Sequence, residues 1–227
     1  MSGNICIIPA RGGSKRIPRK NIKDFLGKPI IVYAIELAKS SNLFDEIMIS
    51  TDDLEIAEIA KKYGAQVPFM RSHETSNDFA TTKDVLFEIL DEYAKKGRLF
   101  HKLLCLYPTS VLANLRDILD GYKKLEDFDS VLPITKYSFP PQRSFKVIEN
   151  QKVQYRFAEY MLSRSQDLEP WYHDAGQWYW YRLINGKLNH EDLSKGFIEL
   201  DSLIVQDIDT IDDWKLAEIK YKNIKNA

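Results

Sequence analysis

Ile5-Cys-Ile-Ile-Pro-Ala-Arg-Gly-Gly-Ser-Lys-Arg-Ile-Pro-Arg-Lys-Asn21 is the stretch from which the fold of this chain can be predicted. It opens with an apolar run that is typical of a buried parallel strand, and a proline ends that run. The loop that follows contains Gly12 and Gly13, and five of the ten residues from Arg11 to Lys20 are basic. Glycines let backbone N–H groups approach an anion, and nearby cations supply the charge that a polyphosphate requires. The stretch therefore predicts a strand followed by an anion-binding loop.

The spacing of these glycines matches neither G-x-x-x-x-G-K-[ST] nor G-x-G-x-x-G, so the P-loop and dinucleotide fingerprints are absent. A strand followed by a merely solvated basic loop is the alternative that composition alone favours. The order of strand, glycines and clustered cations favours an anion-binding site over a solvated loop. At this point a nucleotide and a nucleic acid are both open as partners.

Length and composition are those of one soluble domain with an appendage: 227 residues, 44% of them hydrophobic and 29% charged. The formal net charge is −1, so the basic loop is a local feature and no nucleic-acid-coating surface is expected. Cys6 and Cys105 both lie in apolar runs, and we expect reduced thiols in a cytoplasmic protein. No signal peptide is expected, and no apolar run approaches the roughly 18 residues of a membrane span.

Strands and helices are predicted to alternate along the first part of the chain. Apolar runs predict further strands at 46–51, 66–70, 102–107 and 130–134. Helical spacing predicts helices at 29–41, 54–63, 81–93 and 115–125. This alternation requires a mostly parallel sheet, so the predicted fold is α/β and Rossmann-like with helices on both faces. Because ligands of such sheets bind beyond the carboxyl ends of the strands, we expect one crevice formed by 11–21, 50–53 and 108–110.

The alternation stops after Lys136, where two prolines, a hairpin-like pair around Asn150 and a tract rich in Arg, Tyr and Trp occur. We interpret about 136–176 as an insertion in a single domain that spans 1–227. Because interfaces favour aromatic residues and arginine, the insertion is predicted to be a dimer arm or a substrate lid, with an irregular surface excursion as the alternative. Strands near 177–181 and 203–207 and a closing helix at 211–224 complete the chain.

Asp207 and Asp209 follow the last predicted strand at a spacing of two, which places both side chains on one face. Their carboxylates could bind one hard cation, and Mg²⁺ keeps several waters and is often shared with substrate phosphates. The alternative is that Asp209 or Thr210 caps the last helix. Beside an anion-binding loop, the metal site is favoured.

Ile8-Pro-Ala-Arg-Gly-Gly-Ser-Lys-Arg-Ile-Pro-Arg-Lys-Asn21 resembles the signature of the acylneuraminate cytidylyltransferases, enzymes that make CMP-activated nonulosonic sugars from CTP. Ser50-Thr-Asp52, Tyr107-Pro-Thr-Ser110 and Asp207-Ile-Asp-Thr210 resemble later blocks of that family in the same order. The similarity runs over nearly the whole chain.

The sugar that the resemblance implies depends on two places. The tract 164–177 resembles that of members which activate pseudaminic acid. Members that activate N-acetylneuraminate usually have Gln at the position of Tyr107 and Asn-Gly at the position of Ala175-Gly176. Pseudaminic acid is therefore the implied substrate, and legionaminic and N-acetylneuraminic acids are the alternatives.

The resemblance also implies a role for each matching residue. Contacts to the nucleotide are implied for Ala10, Arg11, Gly12, Gly13, Ser14, Lys15, Lys20, Asn21 and Thr82. Catalytic roles are implied for Arg11, Lys20 and Asp209, and Mg²⁺ binding for Asp207 and Asp209. Contacts to the sugar are implied for Tyr107, Arg164, His173, Asp174, Gln177 and, acting from a partner subunit, Arg143. The implied partners are CTP, an acidic nine-carbon sugar and a second copy of the chain.

The implied reaction is attack of the anomeric hydroxyl of the sugar on the α-phosphorus of CTP, with release of pyrophosphate. Such chemistry is catalysed by positioning and by charge stabilisation on the phosphate oxygens. Either a metal-bound hydroxide or Asp207 could take the hydroxyl proton. Two other classes stay open: a CTP-binding protein without turnover, and an RNA-binding protein, which the net charge of −1 disfavours.

Overall fold

The structure is a computed structural model and describes residues 3–189 and 194–226. The helices are α1 (Ile31–Ser40), α2 (Leu54–Lys62), α3 (His73–Ser76), α4 (Thr82–Lys95), α5 (Leu115–Lys124) and α6 (Ile211–Asn226). The strands are β1 (Gly3–Pro9), β2 (Asp24–Phe25), β3 (Lys28–Pro29), β4 (Glu46–Ser50), β5 (Phe100–Leu106), β6 (Ser130–Lys136), β7 (Phe145–Ile148), β8 (Lys152–Tyr155), β9 (Tyr172–Asp174), β10 (Trp178–Arg182) and β11 (Lys195–Glu199). Over the described ranges, no helix is long and apolar enough to cross a membrane. The cytoplasmic location stays a prediction.

Seven strands form one sheet in the order β11-β6-β10-β5-β1-β4, and β9 pairs with β6. Five of these strands, β1, β4, β5, β6 and β11, run in one direction, while β9 and β10 run in the other. The predicted α/β fold with a mostly parallel sheet is thus confirmed. The sequence did not indicate that β9 and β10 are antiparallel to their neighbours.

Consecutive residues of β1 divide the core between the two faces of the sheet. Cys6 and Ile8 pack with α1, α2 and α5, whereas Ile5 and Ile7 pack with α4. All four side chains are fully buried, and each buried isoleucine stabilises the fold by roughly 1.5–3 kcal/mol. Because neighbouring residues of a strand point to opposite faces, an unbroken apolar run needs cover on both sides. The predicted helices on both faces are confirmed.

A third apolar cluster connects the opening loop with the C-terminal helix. Ile17 of the loop, Ile208 and Trp214 of α6 are all buried in this cluster. Ile17 is about 190 positions away from the other two residues in the chain. Their packing therefore brings the residues next to Ile17 in the loop close to the residues next to Ile208.

Two predicted strands are wrong. Gln66 makes a single bridge with Met48, and no strand follows it at 67–70. Residues 202–204 form a 3₁₀ turn instead of the strand predicted at 203–207. The strand at this edge of the sheet is β11, whose sequence Lys-Gly-Phe-Ile-Glu contains two large apolar side chains and so gives only a weak strand pattern.

Residues 137–171 lie outside the seven-stranded sheet. They include the hairpin β7–β8, which confirms the hairpin-like pair predicted around Asn150. Asn150 and Gln151 have φ values of 57° and 59°, the left-handed conformation that reverses the chain there. All of β7 and most of β8 are exposed. The chain then returns to β6 through β9.

Candidate active site

A cavity of about 600 Å³ lies beyond the carboxyl ends of β1 and β5. Nine residues predicted from the sequence line it, namely Arg11, Ser14, Lys15, Lys20, Asn21, Thr82, Tyr107, Asp207 and Asp209. The segments that supply them are distant in the chain, and the parallel sheet and the third cluster bring them together. The cavity thus contains both the basic loop and the acidic pair.

The loop after β1 is held by carboxylates at the start of α2. Asp52 Oδ1 accepts a hydrogen bond of 2.8 Å from the Gly12 N–H, and Arg19 forms an ion pair with Asp53, the N-cap of α2. Bonding to Arg19 holds the pKa of Asp53 below its usual value. A Cβ at Gly12 would lie 2.7 Å from Asp53 Oδ2, so this close approach requires glycine. Residues 52 and 53 therefore support the loop rather than line the cavity.

Two further residues of the opening motif differ in their surroundings. Ala10 is fully buried, and its N–H donates to the Ser50 carbonyl at 2.8 Å. A Cβ at Gly13 would meet no described protein atom within 4 Å. The protein itself therefore leaves room for a side chain at Gly13. The nucleotide contacts of Ala10, Gly12 and Gly13 stay predictions.

Lys20 connects the loop with the acidic pair. Its Nζ donates to the Ile208 carbonyl at 2.7 Å and lies 3.4 Å from Asp209 Oδ1. Arg16 Nη2 lies 2.8 Å from the same carboxylate oxygen. Enclosure by the cavity walls raises the pKa of Asp207, and the neighbouring Asp209 raises it further, while Lys20 lowers it. Because Asp207 remains exposed, water screens part of this repulsion, and a bound cation would relieve the rest.

The other two cations of the loop contact Asp78. Arg11 Nη1 lies 2.8 Å from Asp78 Oδ1 and donates to the Asn77 carbonyl at 3.1 Å. Lys15 Nζ contacts the second oxygen of the same carboxylate. These bonds, first that of Lys15 and then that of Arg11, keep the pKa of Asp78 below its usual value. Asp78 was not identified from the sequence.

The acidic pair fits Mg²⁺ by its chemistry. Carboxylate oxygens are hard ligands, and Mg²⁺ needs only one or two of them when water and phosphate complete its shell. In the part of the chain that is described, no three His, Cys, Asp or Glu side chains converge as a complete metal site. Thr210 caps α6 reciprocally with Asp213, so Asp209 is not needed as the cap. The metal role of the pair stays a prediction.

Arg71 lines the cavity and was missed in the sequence analysis. Its Nε donates to Ser50 Oγ at 2.9 Å and its Nη2 to the Ser50 carbonyl at 2.6 Å, and burial lowers its pKa. Arg71 directly follows the segment that was predicted as a strand at 66–70. The rule that ligands bind beyond the carboxyl ends of strands was the signal that could have identified it.

Tyr107 is the predicted sugar ligand that lines the cavity, where its hydroxyl lies 3.0 Å from Thr82 Oγ1. Asp174 lines a neighbouring cavity of about 180 Å³ and accepts a hydrogen bond of 2.9 Å from Tyr179. The Tyr179 ring packs edge-on against Tyr107, with 5.5 Å between ring centroids. Gln177 is only 2% exposed, and its Nε2 donates to a backbone carbonyl at 2.6 Å. Sugar binding by these residues stays a prediction.

The remaining predicted sugar ligands lie outside the 600 Å³ cavity of their own chain. Arg143 Nη1 donates to Ser165 Oγ at 3.3 Å. Arg164 forms an ion pair of 2.7 Å with Asp167. The His173 ring lies 4.7 Å from that of Tyr137, measured between centroids. Their roles, including that of Arg143 in a partner subunit, stay predictions.

Residues 5–160 match the family model described as Cytidylyltransferase. The chain belongs to the cytidylyltransferase family. The match begins in β1 and includes the basic loop, the helices α1 to α5 and the hairpin β7–β8. The family resemblance seen in the opening motif is thereby confirmed.

Named relatives of this cytidylyltransferase differ in the sugar of their names. Pseudaminic acid cytidylyltransferase of Campylobacter jejuni is 43% identical over 225 residues, which cover 96% of each chain. CMP-N,N'-diacetyllegionaminic acid synthase of Legionella pneumophila is 39% identical over 106 residues, covering 47% of this chain and 46% of the relative. A solved CMP:2-keto-3-deoxy-manno-octonic acid synthetase complexed with CTP has a TM-score of 0.68 at 18% identity, with both chains fully covered. That last likeness shows the fold.

Proposed function

We propose that this protein transfers CMP from CTP to the anomeric hydroxyl of pseudaminic acid and releases pyrophosphate. The observation that carries the proposal is the 43% identity to a pseudaminic acid cytidylyltransferase over 96% of both chains. The cavity supports it, because clustered cations and a carboxylate pair are what a metal-bound nucleotide requires. Legionaminic and N-acetylneuraminic acids are the alternative substrates, and the legionaminic acid relative matches less than half of the chain.

The basic loop would hold the triphosphate. Arg11 and Lys15 share one anion in the structure and are the candidates for the β- and γ-phosphates. Lys20 lies beside Asp209 and is the candidate for the α-phosphate, where charge develops during the reaction. Asp207 and Asp209 would hold Mg²⁺, which neutralises phosphate charge when bound. No protein nucleophile is required, because the sugar hydroxyl attacks directly.

The nonulosonic acid would occupy the part of the cavity next to Tyr107. Tyr107 stands between the Thr82 hydroxyl in the cavity and the Tyr179–Asp174 pair in the neighbouring cavity. A phenol at this position offers a donor and an acceptor to sugar hydroxyl or amide groups. Arg164 and the partner's Arg143 would neutralise the sugar carboxylate.

A comparison of three nonulosonic acids tests which of them is the substrate. We expect CTP-dependent pyrophosphate release with pseudaminic acid to be about tenfold or more faster, in kcat/KM, than with N-acetylneuraminic or legionaminic acid, because polar groups that are left unpaired in a binding site discriminate strongly. The measurement is a coupled pyrophosphate assay at fixed CTP and Mg²⁺. Equal kcat/KM values for the three sugars would contradict the assigned substrate, and no release with any of them would contradict the proposed function.

A homodimer is proposed from the surface of the 137–171 segment. Its apolar side chains are strongly exposed, with Phe139 at 85%, Val147 at 78%, Val153 at 61% and Leu162 at 89%. A two-stranded hairpin is marginal on its own, and a large exposed apolar patch marks an interaction site. The family resemblance implies that a second copy of the chain covers this surface. The 137–171 segment of each subunit would then carry Arg143 to the 600 Å³ cavity of the other subunit.

Val147→Asp is expected to convert the dimer into a monomer, because it places a carboxylate in the apolar contact. Sedimentation velocity of the full chain at micromolar concentration measures this. Leu54→Asp is the matched control, since Leu54 is also strongly exposed, at 72%, but lies at the start of α2. A monomeric wild-type protein, or the same sedimentation coefficient for both variants, would contradict the dimer proposal.

A further inference from the structure

Asp78 lies where an anionic ligand of the basic loop would lie. Its two carboxylate oxygens contact Arg11 and Lys15 separately, one cation to each oxygen. A phosphate group that bound to both cations would need the same contacts. The protein thus supplies its own anion to Arg11 and Lys15. The proposed function assigns these two residues to the terminal phosphates, and this inference rests on that function.

The segment that carries Asp78 is anchored at both of its ends. At one end, the Glu88 carboxylate of α4 accepts hydrogen bonds from the Ser72 N–H at 2.8 Å and the Ser72 hydroxyl at 3.0 Å. At the other end, Thr81 and Asp84 form a capping box at the start of α4. These anchors fix the length of the loop and keep its tip beside the cavity.

The tip between these anchors is held by polar contacts at the surface. Phe79, next to Asp78, is 93% exposed, so moving the tip would not unpack a core. Asn77 Oδ1 accepts bonds from the N–H groups of Phe79 and Ala80 at 2.8 and 3.0 Å, which keeps the turn together as a unit. The carboxylate of Asp78 can therefore leave the cations without disturbing the sheet.

The exposure of these ion pairs makes the exchange possible. The side chains of Arg11, Asp78 and Lys15 are 35%, 41% and 78% exposed, and exposed ion pairs are weak. A polyphosphate bears more charge and more acceptor oxygens than one carboxylate, so it forms stronger charge-assisted hydrogen bonds with the same cations. The carboxylate therefore opposes phosphate binding without preventing it.

We propose that Asp78 is an internal competitor for the terminal phosphates, which it replaces at Arg11 and Lys15 whenever the site is empty. CTP must displace it, and after CMP transfer it takes the two cations back and so favours the release of pyrophosphate. CMP bears only the α-phosphate and reaches neither cation, so its binding does not depend on Asp78.

Asp78→Asn tests the proposal through binding, without a sugar substrate. We expect the variant to bind magnesium pyrophosphate and CTP about three- to tenfold more tightly than the wild-type chain, the size expected from losing two exposed ion pairs. The Kd of CMP should stay within about twofold of the wild-type value. Isothermal titration calorimetry with the full chain gives all three constants, and Asp78→Ala should give the same direction, since the removed group is exposed.

Asp120→Asn is the matched control, because it makes the same change of charge on α5. Asp120 pairs with Arg116 and Lys123 at the surface and does not line the cavity. Unchanged or weaker pyrophosphate binding by both Asp78 variants would overturn the internal competitor, as would an equal gain in Asp120→Asn. If the wild-type chain binds CTP and only these comparisons fail, the proposed function stands. A wild-type chain that binds neither CTP nor pyrophosphate would overturn both.

Discussion

Asp209→Asn is expected to lower kcat for CTP-dependent pyrophosphate release by at least about 100-fold. The amide keeps the size of the side chain and loses the charge that a divalent cation requires. Asp209 lines the cavity, and its carboxylate oxygen Oδ1 forms ion pairs with Arg16 and Lys20. Because Thr210 and Asp213 cap α6, the fold should not depend on Asp209.

The measurement is steady-state kinetics over a range of Mg²⁺ concentrations, together with Mn²⁺ binding by electron paramagnetic resonance. The metal readout separates a lost ligand from a lost catalytic group. Asp212→Asn is the matched control, because Asp212 lies in the first turn of α6, three residues after Asp209, is 92% exposed and pairs with Lys215. If Asp209→Asn kept wild-type activity and Mn²⁺ affinity, the metal site would have been placed at the wrong residues.

The central sheet was predictable because its strands are covered on both faces. In β1 and β5 this cover demands continuous apolar runs, and such runs are visible without any knowledge of partners. The edge strand β11 is different, since residues 195, 197 and 199 are exposed and the apolar pattern is weak. The order of strands and the reversed direction of β10 depend on long-range pairing, which no local pattern reports.

Asp207 and Asp209 line one cavity, as their spacing predicted, although the predicted reason is partly wrong. No strand ends at Asp207, yet Ile208 is fully buried in the cluster with Ile17, and its two neighbours both line the cavity. Asp207 and Asp209 therefore point into the cavity on either side of the buried Ile208, although this segment is not a strand. Packing of Ile208 against the opening loop, rather than sheet geometry, brings the carboxylates to the cations.

Asp78 escaped prediction because its place in the cavity depends on a turn. The loop between α3 and α4 has no apolar period, and its tip is kept at the cavity by two anchors, the bonds of Ser72 to Glu88 and the capping box of Thr81 and Asp84. Two of the residues that were predicted to bind the sugar differ from Asp78, because they were identified from the sequence but do not line the cavity. Arg143 and Arg164 are recognisable in the sequence, but both lie outside the cavity of their own chain. Of the two, Arg143 is the one predicted to act from a second subunit.

Lys20→Met is expected to lower kcat by about 100-fold, with a smaller change in the KM for CTP. The methionine keeps an apolar stem, so packing is largely preserved. The side chain of Lys20 is the least exposed of the loop cations in ion pairs, at 21%, and a charge acts more strongly where water is excluded. Steady-state kinetics with CTP varied at saturating sugar measures both parameters.

Lys15→Met makes the same chemical change at a side chain that is 78% exposed and paired with Asp78. We expect it to raise the KM for CTP by less than about tenfold and to leave kcat nearly unchanged, because an exposed cation contributes to phosphate binding in ground state and transition state alike. This contrast between the two lysines would locate the reacting phosphorus beside Asp209 and Lys20. A larger loss of kcat in Lys15→Met than in Lys20→Met would place it at the other end of the loop, next to Asp78, and would reverse the assignment of the phosphates.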